Sequence, residues 1–319
     1  MRLIVTGGAG YIGSVTAALL LDRGHDVVVL DNLATGYADA VPPGARLIEV
    51  DLLDAAAIDA AFDRPCDGVL HFAARALVGE SVERPDLYFR TNIVGTLNLL
   101  DAMRAHDVAR IVFSSSAATY GEPDGVPIRE NAPTRPTNPY GASKLAVDYL
   151  LHAYAVAYGV AAVSLRYFNV AGAYRDERER HDPETHLIPN LLTAVRGEGT
   201  PFRLFGTDYP TPDGTCIRDY VHVEDLAEAH LLALDAATPG DHRIYNLGSG
   251  AGFSVRDVLK VVQAVTGREV PTVEGPRRPG DPARLVASSE KIRTELGWTP
   301  QKPSLEAMVR DAWAAGSAG

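Results

Sequence analysis

The sequence is poor in cysteine, methionine and tryptophan, with 2, 3 and 2 of them among 319 residues. Two cysteines cannot frame a disulfide-stapled scaffold. The spacing of Cys66 and Cys216 matches no metal site, so no metal is expected and two reduced thiols are the reading, with a single bridge between them as the alternative. Positive charge is also in deficit: 30 Lys and Arg stand against 41 Asp and Glu, a net charge of −11. That excludes wholesale binding of a phosphate backbone, and no nucleic acid partner is expected. A small anionic ligand stays compatible, because a few placed arginines suffice. No apolar run reaches membrane-spanning length, and the first strand follows directly on Met1 and Arg2 without room for a signal peptide. A cytoplasmic protein without membrane contact is therefore expected. Internal repeats and low-complexity segments are lacking as well. What is present is an ordinary globular composition, 46% hydrophobic and 22% charged, in a chain long enough for two lobes.

The chain is organised around residues 3–31. Residues 3–5 are a short apolar run suited to a buried parallel strand. Glycines follow at Gly7, Gly8, Gly10 and Gly13, then a helical pattern over 11–21 with Gly24 at its stop. A second buried-strand run over 27–30 ends at Asp31. Gly8, Gly10 and Gly13 satisfy G-x-G-x-x-G, and Gly7, Gly10 and Gly13 satisfy G-x-x-G-x-x-G; spacing does not choose between them. Glycines in a strand-to-helix turn let backbone approach a pyrophosphate at the positive end of the helix. An acid at the second strand end accepts from ribose hydroxyls and repels a 2′-phosphate, which points to NAD rather than NADP.

Further strands are expected over 46–50, 68–72, 110–113, 160–167 and 244–247. The first of these ends at Asp51 and Leu52, where an acid can meet an adenine amino group. The second runs into Ala73 and Ala74, small enough for close cofactor approach. A long helix is expected over 86–106, with Asn92 inside it; asparagine disfavours a helix interior and so points to a polar task. The third strand opens into Ser114, Ser115 and Ser116, at the carboxyl edge where open α/β sheets bind ligands. The charged run 176–184 reads as a solvated surface loop. Helices are expected over 187–195, 225–236 and from an N-cap at Ser254 to Val265, with two short ones over 288–297 and 304–314. The expected fold is α/β, a doubly wound parallel (Rossmann) sheet with a smaller C-terminal substrate lobe. Residues 1–169 and about 217–250 form the first lobe, and about 170–216 with 251–319 the second.

The catalytic candidate is Asn138-Pro139-Tyr140-Gly-Ala-Ser-Lys144. Asn138 suits an N-cap and Pro139 the first helical position, which puts Tyr140 in the first turn and Lys144 four residues on, on the same face. A phenol of pKa about 10 becomes a base near neutrality only with roughly 4 kcal/mol of differential stabilisation of the phenolate. The helix N-terminus and the lysine ammonium both act in that direction.

With these residues on the page, the chain resembles the extended short-chain dehydrogenase/reductase superfamily and, within it, the UDP-glucose (galactose) 4-epimerase family. The resemblance spans nearly the whole sequence: VTGGAGYIGS at 5–14, DNL at 31–33, HFAA at 71–74, VGES at 78–81, FSSSA at 113–117, NPYGASK at 138–144, RYFNVAGA at 166–173 and FGTDYPTPDGTCIRDYVHVEDLA at 205–227. The last is the most specific to 4-epimerases. The resemblance implies bound NAD, with Gly7, Gly10, Tyr11, Ile12 and Gly13 at the pyrophosphate, Asp31 and Asn32 at the ribose, Asp51 and Leu52 at the adenine, and Phe72, Ala73, Ala74, Asn92, Tyr140, Lys144 and Tyr167 as further contacts. It implies Ser116, Tyr140 and Lys144 as the catalytic group. Ser116, Asn169, Leu187, Phe205, Arg218, Arg278 and Asp281 are implied for the UDP-sugar pocket, where two guanidinium groups can clamp a diphosphate. It also implies a homodimer.

The implied reaction is oxidation at carbon 4 of a UDP-hexose, rotation of the 4-keto sugar and return of hydride to its other face, with Tyr140 taking and returning the hydroxyl proton. The chain departs from the family pattern at three places. Ala76, with Arg75 before it, stands where some members carry Lys; His186 stands where some carry Asn; Leu285 is intermediate between the bulky and small residues linked to rejecting or accepting N-acetylated sugars. UDP-N-acetylhexosamines and UDP-pentoses are therefore alternative substrates. A 4,6-dehydratase of the same fold needs an acid pair after the serine, where this chain has Ala117 and Ala118. A non-catalytic dinucleotide sensor has no need of Tyr140 and Lys144.

Overall fold

The computed structural model describes residues 1–198, 200–278 and 281–316. Seven parallel strands make the central sheet: β1 (Arg2–Thr6), β2 (Asp26–Asp31), β3 (Arg46–Glu49), β4 (Gly68–His71), β5 (Arg110–Ser116), β6 (Ala161–Tyr167) and β7 (His242–Leu247). Their order is β7-β6-β5-β4-β1-β2-β3, so the winding direction reverses between β1 and β4. The crevice at the carboxyl ends of such a reversal is where open α/β sheets place ligands.

Strand alternation builds two cores, one on each face of the sheet. Leu3, Val5, Val27, Val29, Leu70 and Val112 face helices α1 (Tyr11–Asp22) and, further on in the chain, Val223–Ala236. Ile4, Val28, Leu30, Val69, Ile111 and Phe113 face α2 (Ala55–Ala61), α3 (Gly95–Ala105) and α4 (Pro139–Tyr158). A third core lies beyond the sheet. It joins α5 (Leu187–Arg196), α7 (Val255–Thr266) and α8 (Leu305–Gly316) through Ile188, Leu191, Val258, Val262, Met308 and Val309, with α6 being Val223–Ala236. The predicted N-cap at Ser254 is present and forms a reciprocal capping box with Asp257. Ile292 and Trp298 of the C-terminal segment pack back into the first core. Among the described residues no helix is long and apolar enough to cross a membrane.

Two expectations are corrected. The helix over 86–106 is not regular: Pro85–Tyr88 leads into a π-helical segment, Phe89–Val94, before α3. The widened turn holds Asn92 buried, facing Arg75 and Ser143. The run 176–184 is not a solvated loop. Glu177–Arg178 pairs antiparallel with Ala173–Tyr174. The Arg178 guanidinium donates to the Ala315 carbonyl, Arg180 forms a two-bond pair with Asp39 at 2.8 and 3.1 Å, and the Glu179 side chain is 9% exposed. Its charges are used in binding the segment to the rest of the molecule. Sequence composition alone reads such a run as surface.

Beneath α4 lies one buried ion pair. Arg166 on β6 donates to Asp148 at 2.7 and 3.0 Å, with both side chains under 5% exposed. Ser115 donates to the same carboxylate oxygen. Removing one member of such a pair strands a charge in a low-dielectric interior. Arg166→Met is expected to lose about 3–5 kcal/mol of stability in urea unfolding, and adding Asp148→Leu to recover most of it. A loss under about 1 kcal/mol for the single variant would contradict this account.

Candidate active site

The glycine turn has different demands at each position. Gly7 has a φ of 72°, and a Cβ there would lie 2.5 Å from the Ala73 nitrogen on the neighbouring strand end. A Cβ on Gly13 would lie 2.2 Å from the Gly7 carbonyl oxygen, and one on Gly8 would meet Val29 at 2.7 Å. At Gly10 the nearest protein atom would be 3.4 Å away, so packing within the chain does not require glycine there. Gly10 caps α1 without a side-chain hydrogen bond, and the first turn holds no acid. The N–H groups of Tyr11, Ile12 and Gly13 thus begin a helix open to an anion. The residues fit a dinucleotide: tight backbone packing at Gly7 and Gly13, and room for a side-chain methyl at Gly10 without a clash.

Asp31 ends β2 beside this turn. Its carboxylate accepts from Ala9 N at 3.0 Å and Leu33 N at 2.9 Å, fixing both loops around the crevice. Asn32 donates to Asp51 at 3.0 Å, tying the ends of β2 and β3 together. Leu52 is buried, and Asn98 donates to its carbonyl. Phe72 and Ala73 continue β4 with N–H bonds to Thr6 O at 2.9 and 3.1 Å. Ala74 follows, half-buried. Behind them His71 bridges the Thr6 and Thr96 hydroxyls at 2.6 and 2.8 Å, and burial, with Lys144 nearby, lowers its pKa to about 3. Asn92 accepts from Arg75 N at 2.8 Å and donates to Arg75 O and Ser143 Oγ at 3.1 and 2.9 Å. Its amide therefore holds the loop after β4 in place.

The three serines ending β5 point to three partners, as strand alternation requires. Ser114 shares a short hydrogen bond with the Tyr167 hydroxyl. Ser115, on the opposite face, donates to Asp148. Ser116, on the same side as Ser114, is near enough to the Tyr140 phenol to hold its pKa down. Asn138 caps α4 through Gly141 N at 2.9 Å, so Tyr140 lies in the first turn and Lys144 one turn on. The Lys144 ammonium donates to Ser114 O at 2.7 Å and sits 5.9 Å from the Tyr140 ring centre. Burial raises the Tyr140 pKa and Ser116 opposes it. Burial lowers Lys144 to about 7, against the attraction of Asp148. A phenol, a hydroxyl and a cation thus meet at the carboxyl edge of the sheet, beside the crevice.

Across the crevice, Arg218 forms an ion pair with Asp281 and donates to Ile217 O at 2.8 Å. Arg278 lies over the Phe205 ring at 4.3 Å. Pro279 and Gly280, expected to stiffen that loop, lie outside the described residues. Leu285 pairs with Arg218 in a short parallel ladder and packs beside Phe168 and Tyr120. Asn169 pairs with Tyr220, and Leu187 opens α5. Arg75 lies 3.6 Å from Glu80. The His186 ring is held by Glu179 and Glu184 at 2.9 and 2.8 Å. Sequence reasoning missed Asp148 and Arg166. Their signal was an arginine inside an otherwise apolar strand, and an acid four residues after Lys144 on the same helix face.

Comparison with known proteins places this geometry. Residues 3–248 match the family described as NAD dependent epimerase/dehydratase family. The chain is 57% identical to UDP-glucose 4-epimerase of Corynebacterium glutamicum, covering 100% of this chain and 96% of that protein. The crystal structure of UDP-glucose 4-epimerase from Brucella ovis in complex with NAD is 45% identical with a TM-score of 0.94, covering 98% of this chain and 97% of that one. That from Bifidobacterium longum, in complex with NAD+ and UDP, is 36% identical with a TM-score of 0.93, covering 100% and 99%.

The glycine turn yields a paired prediction. Gly13→Ala forces a methyl against backbone and is expected to destabilise by about 1–3 kcal/mol. Gly10→Ala is expected to leave the melting temperature nearly unchanged yet weaken NAD binding about tenfold or more, the equivalent of one overpacked methyl. Calorimetric titration with NAD and thermal melts of both variants check this; equal effects on both properties would refute it.

Proposed function

The chain belongs to the NAD dependent epimerase/dehydratase family, and on that premise we propose that it interconverts UDP-glucose and UDP-galactose by reversible epimerisation at carbon 4. The observation that carries the reading is that Ser116, Tyr140 and buried Lys144 come together at the carboxyl edge of the sheet, with the ammonium bonded to Ser114 O and 5.9 Å from the Tyr140 ring centre. Gly7, Gly10, Tyr11, Ile12 and Gly13 would hold the NAD pyrophosphate, Asp31 and Asn32 its ribose, and Asp51 and Leu52 its adenine. Phe72, Ala73, Ala74 and Asn92 would make further cofactor contacts, with Tyr167 near the nicotinamide. Bound NAD supplies reversible two-electron oxidation at the sugar carbon.

Tyr140 takes the proton from the sugar 4-hydroxyl and later returns it, with Ser116 fixing the position of both oxygens. The Lys144 ammonium favours the phenolate: a unit charge about 6 Å away is worth about 3 kcal/mol at an effective dielectric of 20. The attraction is mutual, so a phenolate holds the Lys144 proton against its burial. Arg218 and Arg278 grip the diphosphate, while Asn169, Leu187, Phe205 and Asp281 shape the uridine and sugar ends. Ala117 and Ala118 carry no transferable proton, which disfavours dehydration. Leu285 sets the width available at the sugar, and UDP-N-acetylhexosamines and UDP-pentoses are the competing substrates. Residues 1–169 and about 217–250 act as the NAD lobe and the remainder as the UDP-sugar lobe. The free thiols Cys66 and Cys216 suit a cytoplasmic setting.

Two copies associate through the helical face formed by residues 89–105 and α4. Phe89, Val94, Leu97, Tyr149 and Val156 expose apolar surface there, Val156 at 71%. Sedimentation equilibrium is expected to give twice the 34.1 kDa chain mass, and Val156→Glu to shift it toward the monomer; a wild-type monomer would end this part of the reading.

The activity is tested by incubating purified protein with UDP-galactose, UDP-N-acetylgalactosamine or UDP-xylose, without added NAD, and separating the products. UDP-glucose is expected from the first. No conversion after NAD is supplied would overturn the proposal. Tyr140→Phe is expected to lose about 10²–10⁴-fold in kcat, the scale of a lost general acid/base.

A further inference from the structure

The segment between Glu177–Arg178 and α5 carries a group of side chains that the epimerase reading does not use. Glu179, His181, Glu184 and His186 each offer one ligand-type atom, and these atoms all lie within 4.8 Å of one another. His186 Nδ1 lies 2.9 Å from Glu179 Oε1 and 2.8 Å from Glu184 Oε1. His181 Nδ1 lies 3.5 Å from Glu179 Oε1 and 3.6 Å from Glu184 Oε2. A tetrahedral ion with ligands at about 2.0 Å spaces neighbouring donor atoms about 3.3 Å apart; the four imidazole–carboxylate pairs, which use both oxygens of Glu184, run from 2.8 to 3.6 Å, so the side chains close on an ion by small shifts.

The proton-only alternative leaves the group incomplete. A protonated His186 between two carboxylates balances one negative charge of two. His181 Nδ1 is then buried without a hydrogen-bond partner, although it faces both carboxylates, and such an atom costs free energy unless something satisfies it. A divalent cation balances both carboxylates, accepts a lone pair from each neutral imidazole and fills that vacancy in one step. Two nitrogens and two oxygens suit a borderline ion of the zinc type rather than Ca²⁺ or Mg²⁺, which take oxygen.

We propose that Glu179, His181, Glu184 and His186 form a structural Zn²⁺ site that staples the strap between the first lobe and α5. The strap is fixed at its first half by Arg178 on Ala315 and Arg180 on Asp39. The Tyr11 hydroxyl at the start of α1 donates to the Gly172 carbonyl at 2.7 Å, just before the strand Ala173–Tyr174 that leads into the strap. Leu187, the first residue of α5, follows His186 directly. The ion therefore locks the strap between the nucleotide turn and the helix that opens the sugar lobe. All four ligands belong to the protein, so the site is closed and has no vacant position for chemistry.

The test uses full-length, tag-free protein stripped with dipicolinate and desalted, then titrated with Zn²⁺ alone. One Zn²⁺ per chain is expected to survive a second desalting, measured by elemental analysis. Co²⁺ in its place is expected to give the visible absorption of a tetrahedral site. His181→Gln and Glu184→Gln, each removing one ligand at a partly exposed position, are expected to lower Zn²⁺ affinity by more than about 100-fold, since even outer-shell partners are worth about 10–100-fold. Their metal-free melting temperatures should match that of stripped wild type. Substoichiometric zinc in the wild type, below one ion per several chains, would overturn the proposal. So would undiminished binding in both variants, because the ion would then sit elsewhere.

Discussion

The contact between Gly7 and Ala73 is the constraint on which the site depends. β1 and β4 lie side by side at the reversal of the sheet, and their carboxyl ends turn outward in opposite directions. The backbone at Gly7 passes so near Ala73 that no side chain fits between them. This closeness puts the open end of α1 against the end of β4, and one crevice serves both. Asp31, the Asn32–Asp51 bond and the Asn92 clamp on Arg75 then fix the loops that form its rim. A side chain at Gly7 or Gly13 would separate these pieces, whereas the space before Gly10 answers to something outside the chain.

A second layer of order is electrostatic and lies under the catalytic helix. Lys144 and Asp148 are one turn apart in α4, both buried, and Arg166 crosses from β6 to meet the acid. A buried lysine is disfavoured as a cation, and Asp148 partly restores it. Arg166 in turn prevents Asp148 from being a lone buried charge. The chain of opposite charges runs away from the crevice, so Asp148 supports the ammonium from behind without a carboxylate placed against the phenol. Ser115 joins the same network, while its neighbours Ser114 and Ser116 face the other side of the strand. Alternation along one strand thereby separates a supporting serine from a reacting one.

Much of this was legible in the sequence because it is written in short intervals. The glycine turn, the N-cap and proline before Tyr140, the four-residue step to Lys144 and the strand-end acids are local patterns, and local geometry converts each directly into position. The capping box at Ser254 was half legible for the same reason. The regular helix over 86–106 was misjudged because a π-helical turn changes only which side chain faces inward, and composition does not report that. The strap at 176–184 was misjudged for a related reason. Its charges resemble those of a solvated surface until their partners, Asp39 and the carbonyl of Ala315, are brought close from distant parts of the chain.

The sequence by itself determined the parallel α/β fold, the dinucleotide turn and the Tyr140–Lys144 pair, since periodicity and fixed spacing act over a few residues. Only the tertiary structure decided where the Lys144 charge is balanced and how Glu179, His181, Glu184 and His186 come together. Those outcomes depend on strand register and on the path of an irregular loop. Both are set by packing between segments far apart in the chain, and no interval within the sequence encodes the distance between their side chains.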